Sequence, residues 1–406
     1  VKILFLAHRI PFPPDKGDKI RSFNEIRYLC QRHEIYLGTM MEDRQERPYL
    51  EELKVYCNET FAVHNNPKLR RIRPLFTRNS FSSAYFYDGQ LQRYVDKTLS
   101  EQKIEVIICF CSSMAEYVFR NPGYRKNGLK GVRLIMDYVD LDSDKWRQYS
   151  NYTGGYHRFI YRVESRRLGA YEKIINGRFH HSVFVSAREV EIFRGLYPAA
   201  RNLQVISNGV DYNYFYPKRG RRQSQLAKYY PRPVLVFTGI MDYFANEDGV
   251  IWFSEKIFPQ IRKIYPSAQF LVVGNRPTDA VWRLSEMDGI TVTGYVSDIR
   301  DYYWMADLCV VPLRIARGLQ NKVLEGMATG NAVVLTSNAA DGIICHHNED
   351  ILIADGAEAF AGEVIGLLAD DRRRRAMGKK AVENILNNYG WEDNLLKFEN
   401  LFKQSR

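Results

Sequence analysis

Lys322 and Glu325 stand three residues apart at the start of an amphipathic stretch, directly after Arg317 and Gly318. The run Pro312-Leu313-Arg314-Ile315-Ala316-Arg317-Gly318-Leu319-Gln320-Asn321-Lys322-Val323-Leu324-Glu325-Gly326-Met327-Ala328 follows one apolar segment, and a Val-rich segment comes after Gly330. That order predicts strand, glycine loop, helix and strand, which brings the helix start to the carboxyl edge of a parallel sheet. Backbone N–H groups at such a start, helped by Arg317 and Lys322, can neutralise phosphates. Glu325, about one turn beyond Asn321, can accept hydrogen bonds from ribose hydroxyls. The plainer reading is a Lys322 and Glu325 pair on a wet helix face. A second loop, Pro13-Pro14-Asp15-Lys16-Gly17-Asp18-Lys19-Ile20-Arg21, follows the first apolar run. Gly17 would let backbone approach a phosphate or a sugar, and Lys16, Lys19 and Arg21 add positive charge for a phosphate or an acceptor. A simple loop with a solvated basic helix start is the alternative.

The elements that must hold these loops can be read from the alternation of short apolar runs with longer helical patterns. Strands are expected over Val1–Ala7, Glu34–Met40, Ile104–Phe110, Val132–Asp137, Ser182–Ser186 and Leu203–Ile206 in the first half. In the second half they are expected over Val234–Thr238, Phe270–Val273, Ile290–Thr293, Leu308–Leu313, Ala332–Thr336 and Ile351–Ala354. The fold class is therefore α/β, with two Rossmann-like, doubly wound domains in tandem. Gly239, Gly274 and Gly294 each end a predicted strand, where a turn must leave the sheet with unusual dihedrals or allow close approach to a ligand. The expected domains are residues 1–215 and 232–385, joined by a basic, proline-flanked linker over 216–231. Residues 386–406 form a C-terminal helix, with Trp391, Leu395, Phe398 and Phe402 on one face, that returns to the domain junction.

The chain's 406 residues are too many for one core. A net charge of +11 favours anionic partners without choosing among nucleotide phosphates, lipid and nucleic acid. Nucleic acid is disfavoured because no helix-turn-helix, RNA-binding or zinc-finger pattern accompanies the charge. No apolar run reaches the roughly 18 residues of a spanning helix, and the apolar start meets His8 and Arg9 too soon for a signal peptide. Six scattered cysteines lack disulfide or zinc spacing and fit buried thiols in a reducing cytoplasm; Cys345-His346-His347 is read as a polar loop. From Lys68 to Tyr87, Arg70, Arg71 and Arg73 stand among apolar residues such as Phe76, a mixture that suits an anionic membrane surface as well as a solvated loop.

Taken in order, the loop after strand one, Ser182-Val183-Phe184-Val185-Ser186, Asn208-Gly209-Val210-Asp211, Phe237-Thr238-Gly239, Val272-Val273-Gly274, Val292-Thr293-Gly294-Tyr295-Val296 and Glu325-Gly326-Met327-Ala328 resemble the retaining glycosyltransferases of family 4, of GT-B fold. Within that family the sequence is most similar to the sugar transferases associated with exosortase and PEP-CTERM exopolysaccharide systems, through Pro13 to Arg21, Asp140-Leu141-Asp142-Ser143 with Trp146, and Ala316 to Lys322. The resemblance implies a cleft between two domains and a nucleotide-sugar donor bound near Gly17, Gly239, Gly294, Val296, Gly318, Asn321, Lys322 and Glu325. It also implies a glycan or lipid-linked acceptor, a retaining mechanism and a bacterial setting at the inner membrane. Two features depart from the pattern. Arg317 stands where the family has a Glu, and the Arg and Lys that commonly follow the second domain's first strand are missing from Gly239 to Gly249. Arg317 and Lys322 are expected to neutralise the diphosphate in their place.

The same resemblance points to an acid near the end of the run Leu134 to Ser143, beside the reacting carbon: Asp140 first and Asp137 second. Asp140-Leu141-Asp142 also has a metal-binding DxD spacing, but an N-cap role for Asp142 or Ser143 is the better expectation. No cofactor and no metal are expected, the nucleotide sugar being a substrate. Two alternatives stay open: a nucleotide-sugar epimerase of the same architecture, and a non-catalytic sugar-nucleotide-binding protein.

Overall fold

The computed structural model describes residues 1–64, 80–217, 224–316 and 318–403. Arg317, Arg70, Arg71, Arg73 and Phe76 lie outside the described residues. Strands β1 (Lys2–Ala7), β2 (Glu34–Met41), β3 (Glu59–His64), β4 (Val106–Phe110), β5 (Arg133–Val139), β6 (His181–Phe184) and β7 (Leu203–Val205) form one sheet in the order β3-β2-β1-β4-β5-β6-β7. Strands β8 (Val234–Thr238), β9 (Gln269–Val273), β10 (Ile290–Gly294), β11 (Leu308–Val311), β12 (Val333–Leu335) and β13 (Leu352–Ile353) form the other, in the order β10-β9-β8-β11-β12-β13. Every ladder between these strands is parallel. These are two Rossmann-like α/β sheets.

Runs such as Ile3-Leu4-Phe5-Leu6 and Val234-Leu235-Val236-Phe237 are buried throughout, because helices cover both faces of a parallel sheet. Strand β3 is not among the strands expected from the sequence. It is an edge strand, largely half-buried, and its apolar run is limited to Phe61-Ala62-Val63 between polar Glu59-Thr60 and His64. Strand order reverses between β1 and β4 and between β8 and β11, and at such switch points ligands meet the carboxyl ends of the strands. The helices Gly17–Leu29 and Asn321–Ala328 follow β1 and β11 respectively.

The chain divides into two compact units, Val1–Asn208 with Glu392–Arg406, and Gly209–Trp391. The first of these units runs to Asn208 and the second begins at Gly209. Residues just after Asn208 are tied to the second unit: Val210 N donates to the Tyr389 carbonyl (2.9 Å), and Trp304 Nε1 donates to the Tyr216 carbonyl (2.9 Å). Gly209 packs so tightly on Trp391 that a Cβ would come within 2.6 Å of its ring. The C-terminal helix Trp391–Asn400 belongs to the first unit from Glu392 onward. There Glu399 accepts from Arg32 Nη1 (2.8 Å) and Tyr28 OH (3.2 Å) and lies 3.0 Å from His33 Nε2.

Candidate functional site

In the second unit the carboxyl ends of β8 and β9 touch through backbone. Gly239 N donates to the Val273 carbonyl (3.0 Å), and a Cβ on Gly274 would lie 1.7 Å from the Gly239 carbonyl oxygen. Only glycine fits at 274. Gly294, at the end of β10, has φ +67°, a left-handed value that glycine adopts without strain. Gly318 is buried in the loop before the helix Asn321–Ala328; Asn321 is half-buried at the helix start, and Val296 is half-buried beyond Gly294.

Lys322 and Glu325 occupy the first turns of that helix, and they do not form the simple surface pair that their spacing allows. Lys322 Nζ donates to Asn246 Oδ1 (2.8 Å), lies 5.1 Å from the Phe237 ring centre, and its Cε would be 3.4 Å from a Cβ at Gly239. Asn246 is held in turn, its Nδ2 donating to the Ile240 carbonyl (2.8 Å). Glu325 Oε2 accepts from Tyr303 OH (2.9 Å), which lies 2.7 Å from Thr238 Oγ1. Two half-buried, oppositely charged groups thus face the switch point, each oriented by its own polar partner. Burial pushes the Lys322 amine down to about 8 and raises the Glu325 carboxyl above its ordinary value. Residues 232–370 match the family Glycosyl transferases group 1.

The Lys322 and Glu325 constellation lies inside this group 1 match. A stretch of the chain is 25% identical, over 167 residues, to a lipopolysaccharide 1,2-N-acetylglucosaminetransferase of Salmonella typhimurium, covering 36% of this chain and 42% of that protein. The match spans less than half the length of the curated relatives found. Among solved structures, a sucrose-phosphate synthase from Thermosynechococcus elongatus superposes with a TM-score of 0.73 at 18% identity, covering 99% of this chain and 98% of the other. HepE from Anabaena, solved in complex with UDP, superposes at 0.71 and 14% identity, covering 98% of this chain and 99% of HepE. At these identities the likeness concerns the fold, a GT-B arrangement of Rossmann-like sheets.

Its titration gives Lys322 a testable signature as a candidate diphosphate ligand. Below a pH of about 8 the amine is charged, and above it that charge is progressively lost. Nucleoside diphosphate affinity is expected to weaken by up to about tenfold per pH unit above 8, while affinity for the matching nucleoside stays level. Lys322→Met should abolish the pH dependence. Calorimetry at pH 7 and pH 9 reads both effects, and equal pH slopes for the two ligands would refute the assignment.

In the first unit the structure places three sequence-based candidates, Lys19, Arg21 and Asp137, in the interior. Arg21 and Asp137 are fully buried: Arg21 Nε donates to Asp137 Oδ2 (2.7 Å), and its Nη1 donates to the Ile206 carbonyl (2.9 Å) and Asn208 Oδ1 (3.0 Å). Glu25 Oε1 lies 3.0 Å from the same Nε, and burial, reinforced by the Asp137 charge, raises the Glu25 carboxyl well above its ordinary value. Neither Arg21 nor Asp137 is open to a phosphate or an acceptor. Lys16 and Lys19 are also matched, Lys16 Nζ lying 3.6 Å from Glu42 and Lys19 Nζ 3.2 Å from Glu46. Gly17 is exposed at the first position of its helix. His8 was not singled out from the sequence; its Nε2 lies 3.3 Å from Asp18 Oδ2. Burial opposes ionisation of Asp18, but His8 and Arg9 together hold its carboxyl far below the usual range.

Asp140 stays half-buried at the carboxyl end of β5, immediately after Val139. Val139 has φ +63°, a value β-branched residues almost never adopt, and the β5 to β6 register slips between Asp137 and Val139. Asp137 stabilises this bend by accepting from Val139 N (Oδ1, 3.1 Å). Strain of this kind, about 1–3 kcal/mol, collects where a fold aims a functional group. Although burial opposes it, the charges of Asp142, Tyr149 and Asp140 keep the Lys145 amine raised. The N-cap expected at Asp142 or Ser143 is instead Leu141, with no side-chain cap bond, because Ser143 turns inward to donate through N (3.1 Å) and Oγ to buried Glu172. In the loop at Cys345, His346 lies 3.4 Å from Asp350 and His347 accepts from Ile353 N (3.0 Å).

Proposed function

We propose that this protein is a retaining, metal-independent glycosyltransferase that moves a hexose-type sugar from a nucleoside diphosphate donor to a glycan or lipid-linked acceptor. The setting proposed is bacterial exopolysaccharide assembly at the cytoplasmic face of the inner membrane. The observation that carries the reading is the oriented Lys322 and Glu325 pair at the switch point of the second sheet, within the group 1 match. In this reading Glu325 accepts hydrogen bonds from the ribose, and Lys322 with Arg317 and the helix N-terminus neutralises the diphosphate. Backbone at Gly239, Gly294, Val296 and Gly318 borders the nucleotide. That HepE was solved with UDP and with UDP-glucose supports a nucleotide sugar as ligand.

In the proposed step the anomeric carbon loses its bond to the diphosphate oxygen as the acceptor oxygen bonds to it from the same face. The acceptor's proton passes to the departing diphosphate. Asp140 stabilises positive charge on the sugar as that bond breaks. Glu325→Ala is expected to weaken donor binding by about 1.5–3 kcal/mol without unfolding the protein. Unchanged nucleotide affinity in calorimetry would sink the ribose assignment. A non-catalytic sugar-nucleotide-binding role draws on Arg317 standing where the resembling family has Glu. Nucleotide-sugar binding with no transfer to any glycan or lipid acceptor would favour it.

A further inference from the structure

The helix Gly155–Arg178 begins with a turn and a half that is exposed all round, from Gly155 to Phe159. Tyr156 is 70% exposed and Phe159 66%, and at i and i+3 they stand side by side. Isolated exposed aromatics need no explanation, but these two sit beside a basic stripe. Arg158, Arg162 and Arg166, exposed at four-residue spacing, run down the adjoining face and make no ion pair among the described residues. The first acidic residue of the helix is Glu164, and it is turned inward, accepting from Phe81 N (2.6 Å) and Ser82 N (2.8 Å). Below the exposed turns Tyr161 packs on Trp146 (5.2 Å between ring centres) of the helix Asp142–Tyr152. The projecting end is thus braced on an aromatic base.

An aromatic tip beside a stripe of exposed arginines on the same helix matches the boundary of an anionic bilayer, where rings enter the headgroup layer and arginines meet phosphates while their stems stay among apolar groups. We propose that this end of the helix, through Tyr156, Phe159, Arg158, Arg162 and Arg166, is a docking surface for an anionic lipid bilayer. The inference deepens the membrane-side part of the reading above, yet it does not depend on sugar transfer, because vesicle binding is measured without a donor. It also uses residues separate from Arg70, Arg71, Arg73 and Phe76.

The test is sedimentation of the full chain with vesicles containing phosphatidylglycerol, against vesicles of phosphatidylcholine alone, at about 0.1 M salt, where charge acts over roughly 10 Å. The wild type should partition onto the anionic vesicles only. The variants Tyr156→Ser/Phe159→Ser and Arg162→Glu/Arg166→Glu should each lower that partition by about tenfold or more. Their unfolding midpoints should match the wild type, since all four side chains point to solvent. Three results would overturn the proposal: no wild-type partition; both variants partitioning as wild type while Arg70→Glu/Arg71→Glu/Arg73→Glu does not; or a concentration-dependent dimer abolished by the aromatic variant, which would make the surface a contact between copies of this chain.

Discussion

Arg21→Met is expected to destabilise the first unit by about 3–5 kcal/mol, the scale for removing one partner of a buried ion pair. The substitution keeps most of the side-chain volume, so packing is not the main loss. What is lost is the counter-charge of Asp137, together with the contact to Glu25 and the anchors to the Ile206 carbonyl and Asn208. Asp137 would then remain fully buried without its counter-charge. Glu25→Gln provides the contrast: burial and the nearby Asp137 charge already favour the neutral Glu25 carboxyl, so a neutral amide should change stability little. Urea denaturation of both variants decides the matter. A stable Arg21→Met protein, or equal losses for the two, would remove the triad as an organiser of the β5 end.

Asp140→Asn should lower turnover by about 10²–10³-fold, the range for deleting one preorganised electrostatic partner of a transition state. Nucleotide-sugar affinity should stay near wild type, because this carboxylate belongs to the first unit's strand end while Lys322 and Glu325 belong to the second unit. Asp137→Asn, by contrast, should show itself mainly as lost stability, since Asp137 is enclosed by Arg21 and Val139 N. Full activity in Asp140→Asn with a folded, inactive Asp137→Asn would mean that the chemistry belongs to the other carboxylate.

Much of this arrangement is legible in the sequence, for physical reasons that can be traced residue by residue. Twelve of the strands follow from short β-branched or apolar runs, and Gly239, Gly274 and Gly294 mark where three of them end. β3 escapes because an edge strand need not be apolar on both faces. The helix start at Asn321 is legible because strand, glycine loop and helix succeed one another locally. The roles of Arg21 and Asp137 are not, since those residues are 116 positions apart and nothing nearby tells a buried pair from two exposed charges. Asn246 is 76 positions from Lys322, and Tyr303 is 22 from Glu325. Both partners were missed, although a polar Asn246 within the loop where a basic pair was expected was the available signal. Val139 gives no sign at all: its left-handed backbone is forced by the Asp137 bond and the register slip, which only the folded sheet contains.

In the proposed function the start of the helix Asn321–Ala328 receives a nucleotide sugar. Calorimetric titration of a panel of nucleoside diphosphate sugars into the wild type, Lys322→Met and Glu325→Ala tests it most directly. At least one donor should bind the wild type. Lys322→Met should lose affinity for the diphosphate sugar far more than for its nucleoside, and Glu325→Ala should lose about 1.5–3 kcal/mol for both. Binding that neither substitution changes would place the nucleotide elsewhere and contradict the account.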